Sequence, residues 1–158
     1  MAERVEIFEV GPRDGLQSQD KHLSCEERTR LVEALLAAGL RHIEVGSFVS
    51  PKAVPQMAGT DALLAALNPP ADAELSVLVP NMKGYELAVE AAARAVAMVL
   101  YGTDRMAEAN VRMTMRQAEE ATEAIIERAR EDGVQVMATV SVAFECPFEG
   151  PVDPAVIQ

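Results

Sequence analysis

Residues 9–17 read Glu-Val-Gly-Pro-Arg-Asp-Gly-Leu-Gln and follow an apolar segment, residues 5–10, that predicts a short β-strand. The predicted strand ends in a turn rich in glycine and proline, which holds Arg13 beside Asp14. Strand ends of this kind carry the reacting groups in α/β proteins. A carboxylate there can ligate a divalent cation while the guanidinium neutralises a developing oxyanion. A surface ion pair in a tight turn is the alternative interpretation.

The rest of the chain alternates segments that predict helices with segments that predict strands. Ser24 and Glu27 have the spacing of a capping box, and so do Thr114 and Gln117, whose helix Gly133 is suited to end. After the first strand, the pattern predicts strands at residues 42–46, 75–79, 95–100 and 134–142, and helices at residues 24–38, 61–67, 85–93 and 114–132. The remaining segments, including residues 80–84, 101–104 and 143–151, are predicted loops.

This alternation with short connections predicts parallel βαβ units, as in an open doubly wound sheet or a (β/α)8 barrel. Five strands suit the first by number. Polar side chains favour the second, because they lie at or just beyond the carboxyl ends of successive strands, which converge on one mouth in a barrel. These residues are Arg13, Asp14, Glu44, Ser47, Asn81, Asp104, Ser141 and Cys146. We therefore expect residues 1–158 to be the first five strands and four helices of a single TIM-barrel catalytic domain.

Composition limits the classes of function. The chain has 158 residues, of which 49% are hydrophobic and 25% charged, and this suits one compact domain. A net charge of −11 argues against a nucleic-acid or anionic-membrane surface. The charged residues Glu3, Arg4 and Glu6 do not fit a signal peptide, and Cys25 and Cys146 form no CxxC pair. We expect a cytoplasmic protein with reduced thiols and neither a disulfide framework nor a structural zinc site.

Two motifs stand out in the chain, Gly-Pro-Arg-Asp-Gly-Leu-Gln at residues 11–17 and Glu-Val-Gly-Ser-Phe-Val-Ser-Pro-Lys-Ala-Val-Pro-Gln-Met at residues 44–57. Together they resemble hydroxymethylglutaryl-CoA lyase. The resemblance continues through residues 80–84 and 146–150, and so covers essentially the whole chain. The first motif alone is less specific, because related Claisen-type synthases such as isopropylmalate synthase carry a similar turn that usually reads Arg-Asp-Gly-Glu-Gln.

The resemblance implies a TIM barrel that cleaves 3-hydroxy-3-methylglutaryl-CoA to acetyl-CoA and acetoacetate, assisted by Mg²⁺ or Mn²⁺. It assigns Asp14 as a metal ligand and Arg13 as the group that stabilises the enolate oxygen of the departing acetyl-CoA. By the same resemblance, Glu44 is a catalytic residue, and Gln17 and Ser47 bind the substrate. The resemblance implies an acyl-CoA as the partner molecule. We also expect a homo-oligomer, and from the net charge of −11 no nucleic-acid or membrane partner.

The family's remaining ligands, a His-x-His pair and an asparagine, are expected beyond residue 158, as is the cysteine of its glycine-rich loop. His22 and His42 lack the His-x-His spacing, and Cys146 is expected to be a packed loop residue. We therefore expect this chain alone to be inactive and to pair with a second chain or aggregate. A lyase for a longer-chain 3-hydroxyglutaryl-CoA and a non-catalytic half-barrel assembly module remain alternatives.

Overall fold

The computed structural model describes residues 5–157, and five parallel strands form its main sheet. Glu3 and Arg4, used above in the signal-peptide argument, lie outside the described residues. The strands are β1 (Phe8–Glu9), β2 (His42–Ser47), β3 (Glu74–Leu78), β4 (Ala95–Tyr101) and β5 (Gln135–Ser141). They are hydrogen-bonded in the order β1-β2-β3-β4-β5, and every neighbouring pair is parallel.

This strand order decides between the two expected architectures. In a doubly wound sheet the strand order reverses at a switch point, whereas in a (β/α)8 barrel each new strand is added beside the last. The five strands follow the second rule and form a half-barrel with the helices packed against it, so the fold prediction is confirmed.

Five α-helices occur within residues 5–157: α1 (Cys25–Ala37), α2 (Thr60–Ala66), α3 (Met82–Glu90), α4 (Asp104–Val111) and α5 (Met115–Asp132). Both predicted capping boxes form, with Ser24 and Glu27 at the start of α1 and Thr114 and Gln117 at the start of α5. Gly133 adopts the left-handed conformation that ends α5, as predicted.

Two segments that were predicted to be loops contain the first residues of helices. Residues 82–84 belong to α3, because the Asn81 side chain accepts a hydrogen bond from the Gly84 amide and so caps the helix three residues earlier than predicted. The predicted loop at residues 101–104 instead leads into α4, which Thr103 caps in the same way. The helix count is therefore one higher than predicted.

The core lies between the sheet and the helices. Its fully buried side chains include Val32 of α1, Val45 of β2, Val77 of β3 and Ile125 of α5. The two outer strands are less covered: β1 is only two residues long, against the six predicted, and β5 is mostly exposed along its length. The described sheet is thus best packed at β2, β3 and β4, which lead into the loops of the candidate site.

The last described segment forms a hairpin in place of the loop predicted at residues 143–151. Its strands, β6 (Glu145–Cys146) and β7 (Gly150–Pro151), are antiparallel, and a 3₁₀ turn at Pro154–Val156 follows. Cys146 is buried there, where it accepts a hydrogen bond from the Thr103 hydroxyl at 3.1 Å. No helix within the described residues is long and apolar enough to cross a membrane.

Candidate active site at the carboxyl ends of the strands

The turn after β1 is a single π-helical turn, Gly11–Gly15, whose second residue, Pro12, is buried. The amides of Arg13 and Asp14 both donate to the Val10 carbonyl, at 3.1 and 2.7 Å. The Gly11 amide donates to the Glu9 carboxylate at 2.6 Å. These bonds fold the backbone back on itself and fix the two charged residues at the carboxyl end of β1.

Arg13 bridges two carboxylates of different exposure. Its Nε–H donates to Oε1 of Glu44 on β2, and an Nη1–H donates to Oδ1 of Asp14 at 2.9 Å. The Glu44 side chain is 5% exposed, Arg13 15% and Asp14 63%. Glu44 therefore anchors the guanidinium from the interior, while Asp14 presents carboxylate oxygen to the solvent at the mouth of the half-barrel.

Arg13, Asp14 and Gln17 line one cavity of about 290 Å³. The rest of its wall is largely apolar and comes from the ends of β3 and β4, from α4 and α5, and from the loop after β2. These lining residues are Val49, Val54, Leu78, Val79, Pro80, Met98, Val99, Tyr101, Asn110, Val111, Met113, Ala118, Ala121 and Thr122. The cavity thus joins a charged end to an apolar end, which suits a substrate with an anionic head and an acyl portion.

Ser47 is the predicted site residue that lies outside this cavity. It is 2% exposed and lines a neighbouring groove of about 460 Å³ with Phe48 and the start of α2. Its amide donates to the Thr60 hydroxyl at 3.3 Å, but its own hydroxyl has no hydrogen-bond partner within residues 5–157. The structure therefore brings Arg13, Asp14, Gln17 and Glu44 together. It places Ser47 in the neighbouring groove and not in the lining of their cavity.

Sequence reasoning missed the contribution of α4. Asn110 and Val111 of this helix and Met113 just after it line the cavity, as does Tyr101 at the end of β4. Burial raises the pKa of the Tyr101 hydroxyl above its usual value. The signal that could have revealed the helix is Thr103 followed by Asp104, which is a common start of a helix.

Asp14 presents an exposed carboxylate at this mouth, which is a candidate ligand for a cation. Within the described part of the chain, no three His, Cys, Asp or Glu side chains gather to hold a metal ion. An exposed carboxylate is nevertheless the kind of ligand that Mg²⁺ prefers, since this ion usually keeps several waters and binds through one or two carboxylates. His42 lies at the opposite end of β2, where it stacks on Phe8 with ring centroids 4.4 Å apart.

The sequence and fold have close relatives. The family model described as HMGL-like matches residues 4–157. A Pseudomonas aeruginosa protein named 3-hydroxy-3-isohexenylglutaryl-CoA/hydroxy-methylglutaryl-CoA lyase is 38% identical over 98% of this chain and 51% of its own length. The (R)-citramalyl-CoA lyase of Chloroflexus aurantiacus is 40% identical over 96% of this chain and 51% of its own length.

A solved structure shares the fold. It is an HMG-CoA lyase from Acinetobacter baumannii in complex with coenzyme A and 3-methylmalate, which superposes with a TM-score of 0.91 at 34% identity. The match covers 96% of this chain and 50% of that one. The chain thus spans about half the length of the relatives it matches.

Proposed function

The chain belongs to the HMGL-like family, and from this premise we propose that it carries part of the active site of a carbon–carbon lyase. The proposed reaction is the retro-Claisen cleavage of 3-hydroxy-3-methylglutaryl-CoA to acetyl-CoA and acetoacetate. One observation carries the proposal: Arg13 is held by the buried Glu44 beside the exposed carboxylate of Asp14, at the end of a cavity that is otherwise mostly apolar.

Arg13 is proposed to stabilise the charge that develops during cleavage. In this reaction the 3-hydroxyl loses its proton, the C2–C3 bond breaks, and its electron pair moves into the thioester to form an enolate. The enolate then takes up a proton at carbon to give acetyl-CoA. A guanidinium that is already oriented can donate to the enolate oxygen without reorganising as the charge forms. Glu44 supplies this orientation, because it takes the Nε–H and leaves other N–H groups of Arg13 available.

Asp14 is proposed to hold a divalent cation, Mg²⁺ or Mn²⁺, through its exposed carboxylate. When bound, such a cation lowers the pKa of an alcohol in its coordination shell. Asp14 also shares Oδ1 with the Arg13 guanidinium, so its other oxygen is the one free to ligate. The remaining ligands are proposed to come from parts of the relatives' fold that this chain does not match.

Gln17 and Ser47 are proposed substrate contacts. Gln17 lines the cavity with Arg13 and Asp14, where its amide can both donate and accept. A buried hydroxyl without a partner is destabilising, so the Ser47 hydroxyl is a group that a ligand in the neighbouring groove would satisfy.

A longer-chain 3-hydroxyglutaryl-CoA is a second candidate substrate. The apolar lining from Leu78, Met98 and Met113 favours it, and one relative is named for both the isohexenyl and the methyl substrate. The test is to follow acetyl-CoA formation by the complete protein with Mg²⁺, using the methyl, isohexenyl and (R)-citramalyl thioesters separately. Cleavage of one identifies the substrate, while cleavage of none contradicts the lyase and leaves the non-catalytic assembly module.

We also propose that this chain self-associates and that it lies in the cytoplasm. Met137 and Val140 on β5 are exposed, and within the described sheet β5 pairs only with β4. An open sheet edge of this kind favours pairing with another strand. Light scattering on the 158-residue chain tests this part of the proposal, and a monodisperse monomer contradicts it.

A further inference from the structure

Strand β2 contains a bulge between Glu44 and Ser47, the two residues of this strand that are proposed to act in the site. Its register against β3 runs from Glu44 opposite Ser76 directly to Gly46 opposite Val77, so Val45 is an extra residue without a partner in the ladder. Bulges of this kind bend a strand and redirect its side chains, and they are common beside active sites.

The bulge changes the face on which the following residues lie. In a regular strand Glu44 and Gly46 would point to the same side of the sheet. Glu44 instead binds Arg13 at the mouth, whereas a Cβ on Gly46 would lie 2.6 Å from Thr60 Oγ1 and 2.8 Å from Arg28 Nη2, on the side of the helices. The extra residue therefore allows Glu44 to face the mouth while the next part of β2 packs closely against α1 and α2.

Arg28 holds this bulge from α1. Its guanidinium donates to the carbonyl of Val45 at 3.3 Å, to the carbonyl of Ala58 at 2.9 Å and to the Thr60 hydroxyl at 3.3 Å. The first acceptor belongs to the bulged residue itself, and the other two lie at the start of α2. One side chain thus ties the bulge to two helices.

The burial of Arg28 is unusual, because arginine side chains are almost never fully buried unless they are paired. The side chain is 2% exposed, and no carboxylate within residues 5–157 forms an ion pair with it. Burial lowers the pKa of the Arg28 guanidinium from its usual value, because desolvation disfavours the charged form. A residue that only filled space between helices would be apolar. The guanidinium of Arg28 is therefore used to donate hydrogen bonds to its three acceptors.

We propose that Arg28 is a positioning residue of the lyase site, which fixes the Val45 bulge and thereby the direction in which Glu44 holds Arg13. The inference rests on the proposed function for its catalytic meaning, but the geometric coupling from Arg28 to Arg13 stands independently of the substrate. A lysine at position 28 would keep the charge and lose the fork, because an ammonium group cannot reach acceptors on both β2 and α2 in the same way.

The experiment compares Arg28→Lys with Arg30→Lys in the complete protein. Arg30 lies on α1 two residues away, is exposed, and forms no ion pair within the described residues, so it is the matched control. The readout is the Nε–Hε resonance of Arg13 in an ¹H–¹⁵N NMR spectrum, assigned by its loss in Arg13→Lys. We expect Arg28→Lys to move this resonance and to speed its hydrogen exchange at least tenfold, and Arg30→Lys to leave both unchanged.

An Arg28→Lys protein that is folded, even with a lower melting temperature, and keeps the Arg13 resonance and exchange rate overturns the inference. If Arg28→Lys does not fold, Arg28→Met provides the same test, since it removes the three hydrogen bonds without leaving a buried charge. A change in the same direction supports the inference, and an unchanged Arg13 resonance overturns it. Thioester cleavage measured on the same samples separates the two proposals, because a wild-type protein without lyase activity contradicts the function and not the coupling.

Discussion

The Nε–H of Arg13 donates to the carboxylate of Glu44, a residue 31 positions later in the chain, and this bond joins the turn after β1 to the interior of β2. Asp14 contacts the same guanidinium from the solvent side. One arginine thus has a buried and an exposed partner, and the two partners are expected to contribute differently to stability and to catalysis.

Glu44→Ala is expected to destabilise the protein far more than Asp14→Ala. Removing Glu44 leaves a largely buried guanidinium without its interior partner, which costs roughly 3 kcal/mol or more of unfolding free energy. Asp14 is 63% exposed, so its loss should cost less than about 1 kcal/mol. Urea denaturation of both variants measures the difference, and equal losses would show that burial does not distinguish the two pairs.

Asp14→Asn is expected to weaken the binding of Mn²⁺ without unfolding the protein. The expected loss is at least about tenfold, since this is the lower end of what losing even an outer-shell partner of a metal site costs. Arg13→Met is the matched control, because it removes the neighbouring charge and keeps the carboxylate. Titration calorimetry gives both affinities, and an affinity in Asp14→Asn equal to that of the parent would remove Asp14 as a ligand.

Stability is expected to fall as the pH rises from about 10 to about 12 because of Tyr85. Burial, and then its hydrogen bond of 2.9 Å to Asp132, raise the pKa of Tyr85 to about 12. In that interval the folded state keeps a proton that the unfolded state releases, so folding weakens with rising pH. Tyr85→Phe should show a shallower decline in unfolding free energy, with part of the slope retained by Tyr101, whose pKa burial also raises. An unchanged slope in Tyr85→Phe would exclude this origin.

Local patterns predicted four of the five helices described, because their signals lie within a few residues of each other, and they missed α4. Ser24 with Glu27 and Thr114 with Gln117 form the expected capping boxes, and Gly133 ends its helix as expected. The strand order was predictable from the polar residues that follow successive strands. Such residues form one site when the carboxyl ends of those strands lie side by side, as they do in a barrel.

Features that depend on contacts between distant residues were not predictable. The sequence of β2 shows nothing that marks Val45 as a bulge, because the bulge is defined by the register against β3. For the same reason the sequence did not predict that Ser47 and Arg13 line different cavities. It also did not predict the burial of Arg28. An arginine on an amphipathic helix is normally exposed, and only the three acceptors brought together by folding explain its burial.

The central claim is that Arg13, oriented by Glu44, stabilises the enolate formed when an acyl-CoA is cleaved. The most direct test is the turnover of 3-hydroxy-3-methylglutaryl-CoA to acetyl-CoA with Mg²⁺, measured for the complete wild-type protein and for the same protein carrying Arg13→Met. The account predicts that the wild type cleaves the thioester and that Arg13→Met loses on the order of 100- to 1,000-fold in turnover, the range seen when one preorganised oxyanion donor is removed. Equal turnover in the two proteins would contradict the account.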